Sequence, residues 1–386
     1  MTNVGFFMVV PFITVFVVQH EHMTGAKAGL LFSTLLFTRR GFGLPAGWAS
    51  DRAGPANTLS SGLSIESIAY LTFAFAGSSF VFWMAAAALL GTGGALNNNG
   101  TRSLISGADR STSAIKLAHY YASVNAAGVV GPLLGTLLLV SGLMRVGFVV
   151  AAALHALFAL ASFVLLRHVP RHSSPTSDAD PSVLTVFQDR PALAYCGTAV
   201  GSWALISLYR IVIPLDLIHQ HLSADLVGPL TSLNAIVVMT LILVFSPWLG
   251  RAGMAPRLTA LSAGAVVLGG GWLLCAGAGL LAIVAAVIVT SVGEALFCGV
   301  VDPIIVTFAP DGRVGLYLGL SALSWGVGGA VAGLSGWGLS LASRHHALTF
   351  FWLGIAGVGI LTATATRLAR PYFIRASHSR EGAKPL

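Results

Sequence analysis

The feature that most constrains this chain is the recurrence of apolar stretches of about 20 residues along its whole length, each long enough to cross a hydrocarbon core ~30 Å thick as a helix. Hydrophobic residues make up 55% of the 386 residues and charged residues only 9%. A soluble domain carries about 25% charged residues. Because there is too little charge to coat a soluble protein, we predict an all-α integral membrane protein with about twelve transmembrane helices.

The predicted spans form two sets of six. The first set covers Val4–Val18, Ala28–Trp48, Leu59–Ala76, Val81–Ile105, Ala118–Val140 and Val146–Leu166. The second set covers Leu193–Leu217, Val227–Leu249, Leu258–Leu280, Ala282–Phe308, Leu316–Leu341 and Leu348–Ala369. A polar stretch containing Ser, Pro and acidic residues separates them. We therefore predict an N-terminal six-helix half (1–166), a cytoplasmic linker (167–190), a C-terminal six-helix half (191–370) and a cytoplasmic basic tail (371–386).

The distribution of Lys and Arg predicts the orientation. The net charge is +8, and the basic residues lie mostly in short loops at alternate ends of the spans, with only Lys27, Arg145 and Arg344 at the other ends. This bias predicts a multi-pass protein of a bacterial cytoplasmic (inner) membrane with both termini in the cytoplasm. Because the basic residues do not cluster on one face, we expect no nucleic-acid partner.

The two halves repeat at a spacing of about 200 residues. GGAL begins at Gly93 and is followed by RSLI at Arg102, whereas GEAL begins at Gly293 and is followed by DPII at Asp302. VVPF in the first span is likewise echoed by VIPL in the seventh. A pseudo-symmetric pair of six-helix repeats is a plan used by secondary transporters, which bind their solute near the membrane midplane.

Three short motifs carry a family resemblance. The loop after the second span reads GWASDRAG from Gly47 to Gly54, the fifth span contains AGVVGPLLG from Ala127 to Gly135, and the fourth span has GTGG followed by Arg102. These motifs resemble signatures of the major facilitator superfamily. Across essentially its whole length the chain resembles the drug:proton antiporter branch, which includes multidrug exporters.

The resemblance implies roles for two groups of residues. It places an inner gate at the cytoplasmic helix ends and an antiporter-like motif in the fifth span. The gate residues are Gly47, Asp51, Arg52 and Gly54, with Arg102 as partner and Asp302 as its repeat counterpart; the helix motif comprises Gly128, Gly131, Pro132 and Gly135. A carboxylate at a helix end can pair with an arginine or cap a helix, and glycine and proline permit bending and close packing. The loop departs from the family pattern at Pro55 and Ala56, where basic residues are usual.

Ionisable residues inside apolar spans are costly and mark candidate transport sites. Those singled out for proton coupling or the solute cavity are Glu294, Arg210, Asp216, Glu66, Arg39 and Arg40, with His119 and His155 as further titratable residues. Glu294 is the first choice, because a carboxylate at membrane depth can take up and release a proton. It could instead be a structural carboxylate satisfied by a neighbouring helix. Arg210 could pair with Glu294 or with an anionic solute.

The remaining candidates are open to more than one interpretation. Asp216 lies nearer the outer end and could be solvated, and Glu66 could serve gating, proton handling or a buried pair. Arg39 and Arg40 are adjacent and point in different directions, so one is expected in the cavity and the other at the cytoplasmic interface. Several arginines and few acids suit an anionic or zwitterionic solute.

Histidines cluster at the predicted outer ends of the spans. They are His20, His22, His219, His221, His345 and His346. They are expected to be interfacial residues without a joint role, although external pH sensing or contact with a metal complex is the alternative. We find no metal-ligand spacing among them.

The predicted function is proton-coupled efflux of a small organic molecule by alternating access. The alternatives are a dedicated exporter of a siderophore or other endogenous metabolite, or an importer of the same fold. The sequence contains no phosphate-binding loop and no catalytic constellation, so we predict no enzyme activity and no cofactor. The expected partners are the solute, protons and membrane lipid, with the monomer as the functional unit.

Overall fold

A computed structural model of the protein describes residues 2–108, 113–166, 183–310 and 314–381. Within these ranges the regular elements are helices, and no β-strand is present. The all-α fold predicted from the apolar stretches is confirmed.

The described residues of the first half form eight α-helices. They are α1 (Thr2–Val9), α2 (Ile13–Gln19), α3 (Gly25–Gly41), α4 (Gly43–Ala53), α5 (Pro55–Phe75), α6 (Phe80–Ala108), α7 (Ser113–Val140) and α8 (Met144–Leu166). Those of the second half form seven α-helices. They are α9 (Arg190–Ser207), α10 (Tyr209–His219), α11 (Val227–Arg251), α12 (Met254–Leu273), α13 (Leu280–Phe308), α14 (Val314–Arg344) and α15 (Leu348–Glu381).

Three of the predicted spans are interrupted. A 3₁₀ turn at Val10–Phe12 separates α1 from α2, and Leu208 separates α9 from α10. Pro11 lies within the first break and Pro214 shortly after the second, and proline cannot donate the backbone hydrogen bond that a continuous helix requires. The VVPF motif thus contains the break of the first span, whereas the VIPL motif lies inside α10, after the break of the seventh. The second span breaks at Phe42, between α3 and α4.

Ten segments in the described ranges are long and apolar enough to cross a membrane. The two predicted spans not among them correspond to α3 with α4, and to α5. Helix α3 has only 17 residues before the break at Phe42. Helix α5 has 21 residues but carries serines and Glu66 among its apolar positions. The break in the second span and the polar residues of the third therefore keep both below the length and apolar composition of the other ten.

The chain divides into two compact units. One comprises Met1–Pro181 with Ser223–Ser232, and the other comprises Ser182–Leu222 with Leu233–Leu386. The start of α11 thus groups with the first unit, although the rest of that helix belongs to the second. The boundaries proposed from the sequence, including the linker over 167–190, remain predictions.

The internal repeat is visible in how helices cross within each unit. A Cβ added to Gly62 of α5 would lie 2.7 Å from the carbonyl oxygen of Gly93 on α6. A Cβ added to Gly264 of α12 would lie 2.9 Å from the carbonyl oxygen of Gly293 on α13. Small residues allow backbones to approach this closely in membranes. Equivalent glycine crossings therefore set α6 against α5 and α13 against α12.

Helix α15 extends beyond the predicted end of its span. It runs 34 residues to Glu381, although the sequence placed a tail from residue 371. Arg380, near its end, forms an ion pair with Asp189 at 2.6 Å and also contacts the carbonyl oxygen of Phe308. Asp189 caps the N-terminus of α9 and accepts a hydrogen bond from Tyr317. These contacts join α9, α13, α14 and α15 at one end of the second unit.

Candidate transport site

The first unit contains a buried ion pair between α3 and α5. Arg39 Nη1 lies 3.2 Å from Glu66 Oε1, and the two side chains are 8% and 1% exposed. The Arg39 guanidinium also lies 4.1 Å from the centre of the Phe6 ring on α1. A charge removed from water is tolerated when it is paired and hydrogen-bonded, and this pair meets that condition. Arg39 and Glu66, both predicted site residues, are thus brought together.

Two further side chains surround the Glu66 carboxylate. Asn97 of α6 donates its Nδ2 hydrogen to Glu66 Oε2 at 2.7 Å. His155 of α8 places Nε2 3.7 Å from the same oxygen and is itself 1% exposed. The ring of Tyr70 packs 4.9 Å from the His155 ring. Four helices of the first unit therefore converge on one carboxylate.

Glycines on α6 make room for this cluster. A Cβ at Gly94 would collide with the Arg39 guanidinium, and a Cβ at Gly93 would lie 2.8 Å from the backbone nitrogen of Glu66. At the position that repeats Gly94, the second half carries Glu294. The first half thus uses the space of a missing side chain to hold an arginine from another helix.

A cavity reaches the edge of the cluster. It has a volume of about 380 Å³, lies among α1, α5, α6 and α8, and includes Asn97, Thr101 and Ser162 in its lining. Thr101 donates a hydrogen bond to Asn97 Oδ1 at 3.3 Å. Asn97 therefore contacts the cavity on one side and the Glu66 carboxylate on the other.

The second unit holds its own carboxylate, Glu294 of α13. Asn234 of α11 donates to Glu294 Oε2 at 3.0 Å and lies 2.9 Å from the Ser291 hydroxyl. Arg210 of α10 interacts electrostatically with Glu294. Glu294, Arg210 and Asn234 all keep part of their surface exposed, whereas Glu66 does not. The arrangement offers a carboxylate, a guanidinium and an amide to a molecule that reaches this surface.

Aromatic side chains lie on the same helix as Glu294 and on two neighbours. The rings of Trp203 on α9 and Trp325 on α14 stack 4.2 Å apart with an interplanar angle of 7°. Phe297, one turn after Glu294, meets Trp203 edge-on at 4.9 Å. These ring contacts thus join α9, α13 and α14.

Asp216 is not the solvated residue that one interpretation allowed. It is 3% exposed and accepts a hydrogen bond from Gln220 Nε2 at 2.9 Å. Gln220 Oε1 in turn accepts from the backbone nitrogen of Gly279 at 2.7 Å. Asp216 therefore belongs to a hydrogen-bonded connection from the end of α10 to the start of α13. Arg40 remains partly exposed, with its Nε buried.

Two of the predicted gate residues contact side chains outside the predicted gate. Arg52 packs its guanidinium 5.1 Å from the centre of the Trp48 ring, one turn earlier on α4. Arg102 is exposed on α6, and Asp302 accepts a hydrogen bond from Ser321 at 3.1 Å. The side chain of Asp51 lies outside the described part of the chain, so the expected gate pair stays a prediction.

The two glycines of the loop motif differ in their local structure. Gly54 joins α4 to α5 with φ of 88°, a backbone conformation that L side chains rarely adopt. Gly47 lies within α4, where an added Cβ would meet nothing within 4 Å. Glycine is therefore required by the backbone at the second position and not by packing at the first.

The antiporter-like motif of α7 is a packing surface. Gly128, Gly131, Pro132 and Gly135 are all buried. A Cβ at Gly131 would lie 2.6 Å from Phe7 Cβ, and one at Gly135 would collide with the Met8 carbonyl oxygen. On another face, the Pro132 carbonyl oxygen lies 2.5 Å from a Cβ added at Gly228. The motif therefore allows α1 and the start of α11 to approach α7 closely.

Three of the outer histidines have a backbone role. His22, His221 and His346 have φ values of 54°, 54° and 53°. At two of them the next residue bonds five positions back: Leu222 N to Leu217 O at 2.9 Å, and Ala347 N to Ala342 O at 2.7 Å. This is the Schellman pattern that ends a helix with a left-handed residue. In the described ranges, no group of three or more His, Cys, Asp or Glu could hold a metal ion.

Sequence reasoning selected the charged members of both clusters and missed their neutral partners. Asn97 and Asn234 carry no charge, so the need for charge compensation that marks Glu66 and Glu294 does not point to them. A signal was available for Asn97, because the run Asn97-Asn98-Asn99 places three amides within the fourth span. Polar residues inside a membrane helix usually face other protein groups.

Taken together, the apolar helices, the two-unit repeat and the buried charges define a multi-pass membrane transporter. The family model described as Major Facilitator Superfamily matches residues 1–333. The chain belongs to the Major Facilitator Superfamily. The family and fold expected from the three motifs are confirmed.

Relatives with similar sequences cover almost the whole chain. An uncharacterized MFS-type transporter of Mycobacterium tuberculosis is 23% identical over 382 residues, which cover 95% of this chain and 90% of that protein. The multidrug resistance protein MdtH of Shigella sonnei is 22% identical over 370 residues, covering 94% and 89%.

Solved structures share the fold at lower identity. The crystal structure of a mutant of the nucleoside transporter NupG has a TM-score of 0.76 at 15% identity and covers 95% of this chain and 98% of its own. A POT family transporter in complex with a thioalcohol-conjugated peptide has a TM-score of 0.76 at 12% identity, covering 96% and 94%. Likeness at this identity establishes the fold alone.

Proposed function

We propose that this chain exports a small organic molecule in exchange for protons by alternating access, from a bacterial cytoplasmic membrane with both termini in the cytoplasm. The observation that carries the proposal is the buried Arg39–Glu66 pair, with a second carboxylate, Glu294, in the other unit. Ionisable groups inside membrane helices are expensive and mark ion or solute pathways. Membrane potential supplies ~2.3 kcal/mol per charge per 100 mV to such a process.

The two carboxylates suit different tasks. Glu66 is fully enclosed by protein side chains, which fits a site for something as small as a proton. Glu294, Arg210 and Asn234 are partly exposed, which fits contact with a solute. A neighbouring carboxylate and guanidinium favour a solute that carries both signs of charge or a negative charge. The assignment of export follows the antiporter-like motif at Gly131 and Pro132 and the similarity to a multidrug resistance protein.

A dedicated exporter of one endogenous metabolite, such as a siderophore, is the second candidate. The Arg210 guanidinium, which interacts electrostatically with Glu294, favours it over a general exporter of lipophilic cations, because a guanidinium repels a cation. An importer of the same fold would use the same residues with the solute moving the other way.

The test is proton movement in everted membrane vesicles that carry the protein, energised to build an inside-acid pH gradient. The panel contains lipophilic cations, aromatic zwitterions, organic anions and iron chelators. We expect at least one anion or zwitterion to collapse the gradient with wild type, and Glu294→Gln to abolish this response. The control is Glu21→Gln, which removes a carboxylate between α2 and α3 that is paired with Arg145 at 2.9 Å, and it should respond as wild type.

The outcomes separate the alternatives. If a solute collapses the gradient equally with wild type and Glu294→Gln, antiport stands and the role of Glu294 is wrong. If only lipophilic cations respond, the inferred solute class is wrong. If no member of the panel acts and labelled solutes enter intact cells, the importer is the better description.

A further inference from the structure

The orientation of His155 fixes where its hydrogen must be. Its Nδ1 lies 2.7 Å from the carbonyl oxygen of Ala151, one turn earlier on α8. A carbonyl oxygen only accepts hydrogen bonds, so Nδ1 carries a hydrogen in this arrangement. In a neutral imidazole the other nitrogen, Nε2, is then a bare acceptor.

That bare acceptor faces another acceptor. Nε2 lies 3.7 Å from Glu66 Oε2. Both side chains are 1% exposed, so bulk water does not reach the space between the two atoms. Two acceptor atoms whose lone pairs face each other in a buried site repel, because no hydrogen lies between them. One proton between Nε2 and Oε2 changes this repulsion into a hydrogen bond. The observed 3.7 Å is longer than a hydrogen bond, so proton uptake would draw the two side chains together.

The groups around the pair come from every helix packed against it. In the described ranges, Arg39 of α3 contacts Oε1 at 3.2 Å, Asn97 of α6 donates to Oε2 at 2.7 Å, and Tyr70 of α5 packs its ring 4.9 Å from the imidazole. Helix α1 contributes Gly5, whose added Cβ would lie 3.4 Å from the ring of His155. Arg39 and Tyr70 are the charged and titratable neighbours among these. Arg39 balances the Glu66 charge when the proton is absent.

A path for the proton leads through the cavity beside Asn97. That cavity of about 380 Å³ includes Asn97 and Thr101 in its lining, and Asn97 contacts the same Glu66 oxygen that faces His155. The Asn97 side chain would therefore stand between water in the cavity and Glu66 Oε2. A hydronium ion there could deliver its proton to the pair and leave as water.

We propose that Glu66 and His155 form a single-proton site, in which one proton binds between Oε2 and Nε2 and is the proton that drives transport. The claim that this proton drives transport rests on the proposed function above. The claim that the proton binds between the two side chains does not rest on it. Without the proton the charges of Arg39, Glu66 and His155 sum to zero, and with it they sum to one positive charge. Loading therefore changes the charge of the first unit at membrane depth.

The proton site is tested by nitrogen NMR of protein labelled with ¹⁵N-histidine in nanodiscs, titrated with pH. Signals of His155 are assigned by their loss in His155→Gln. We expect Nδ1 to carry a hydrogen throughout, and Nε2 to change in one step from a bare to a hydrogen-bonded nitrogen as pH falls. Glu66→Gln should move this step along the pH axis, and Glu21→Gln should leave it in place.

Glu66→Gln leaves Arg39 buried without its carboxylate partner. A second variant therefore keeps the test valid if Glu66→Gln does not fold. Arg39→Gln with Glu66→Gln removes both charges at once and should also move the step. The proposal is overturned if Nδ1 loses its hydrogen, if Nε2 keeps one hydrogen state across the whole range, or if both Glu66 variants titrate as wild type.

The role in transport is tested separately in everted vesicles with a solute that collapses the gradient in wild type. His155→Gln replaces Nε2 by an amide that cannot exchange a proton. It should abolish proton movement while exchange of labelled solute for unlabelled solute continues. If His155→Gln moves protons as wild type does, the site does not drive transport, although the proposed antiport stands. If the NMR step is found and no solute moves protons, the proton site stands and the proposed function fails.

Discussion

At the scale of single residues, the buried charges of Arg39 and Glu66 are paired. The Arg39 and Glu66 side chains are 8% and 1% exposed, whereas in the other pair Arg145 is 60% exposed and Glu21 5%. Removing one partner of the Arg39–Glu66 pair leaves an uncompensated buried charge, whereas removing Glu21 leaves Arg145 in solvent, where the lost pair costs little. The two pairs therefore form a matched comparison within one protein.

We predict that Arg39→Met lowers the free energy of unfolding by about 3–5 kcal/mol, because Glu66 is left buried and charged. Adding Glu66→Met should recover most of that loss. Glu21→Met should cost no more than about 1 kcal/mol, because the Arg145 left behind is exposed. Unfolding in mixed SDS micelles measures all three. Equal effects of Arg39→Met and Glu21→Met would show that the Arg39–Glu66 pair is not buried in the folded protein.

A second prediction for single residues concerns the stability of the protein when His221 and His346, at the predicted outer ends of the spans, are replaced. A left-handed conformation costs a residue with a Cβ about 1–2 kcal/mol relative to glycine. His221→Gly and His346→Gly should therefore keep or raise stability in thermal unfolding and leave transport unchanged. Loss of transport in either variant, with stability kept, would instead support a joint role in pH sensing or metal contact.

The sequence allowed the charged half of each cluster to be predicted, for a physical reason. Glu66, Arg39, Glu294 and Arg210 stand out because a charge in an apolar span demands compensation. The compensation itself comes from residues distant in sequence, such as Asn97 for Glu66 and Asn234 for Glu294. Which helices meet at a carboxylate depends on packing across the unit, and no local pattern contains that information.

At the scale of helices, length and apolar composition predicted most spans, and proline and glycine decided their details. The break in the first span contains Pro11, whereas the break in the seventh lies at Leu208, before Pro214, and neither was foreseen. The second span and α5 contain enough polar residues to fall short of a clear membrane-spanning composition, yet both carry members of the Glu66 cluster. Hydropathy therefore misses these two spans, although it identifies α13, which carries Glu294.

The prediction for helices concerns the close contacts that glycines allow between α5 and α6 and between α12 and α13. Gly62→Ala would push its Cβ into the backbone of Asn97 and Gly93, and Gly264→Ala would meet the backbone of Gly293. We expect each to lower the thermal unfolding midpoint through overpacking of about 1–3 kcal/mol, with Gly62→Ala the worse.

The matched control is Gly270→Ala in α12, where an added Cβ meets nothing within 4 Å. It should be neutral or stabilising, because alanine favours a helix over glycine by up to about 1 kcal/mol. A Gly62→Ala protein as stable as Gly270→Ala would contradict the close crossing of α5 and α6.

At the scale of the whole molecule, the repeat gives the two units a similar plan of helices with different groups at one repeated position. The position of Gly94 in the first half leaves space for the Arg39 guanidinium, and its repeat position supplies the carboxylate of Glu294. The repeated plan thus carries an enclosed ion pair in one unit and a partly exposed carboxylate in the other. Coupled transport requires that a proton site and a solute site bias the same conformational equilibrium.

The most direct test of the central claim, proton antiport, uses purified protein in proteoliposomes with an imposed pH gradient and a labelled solute identified in the vesicle screen. Antiport predicts that an inside-acid gradient drives accumulation of the solute, that an outside-acid gradient depletes it, and that Glu66→Gln removes both effects while solute exchange continues. Accumulation driven by an outside-acid gradient would show symport, and accumulation indifferent to the gradient would show that protons do not drive this transporter.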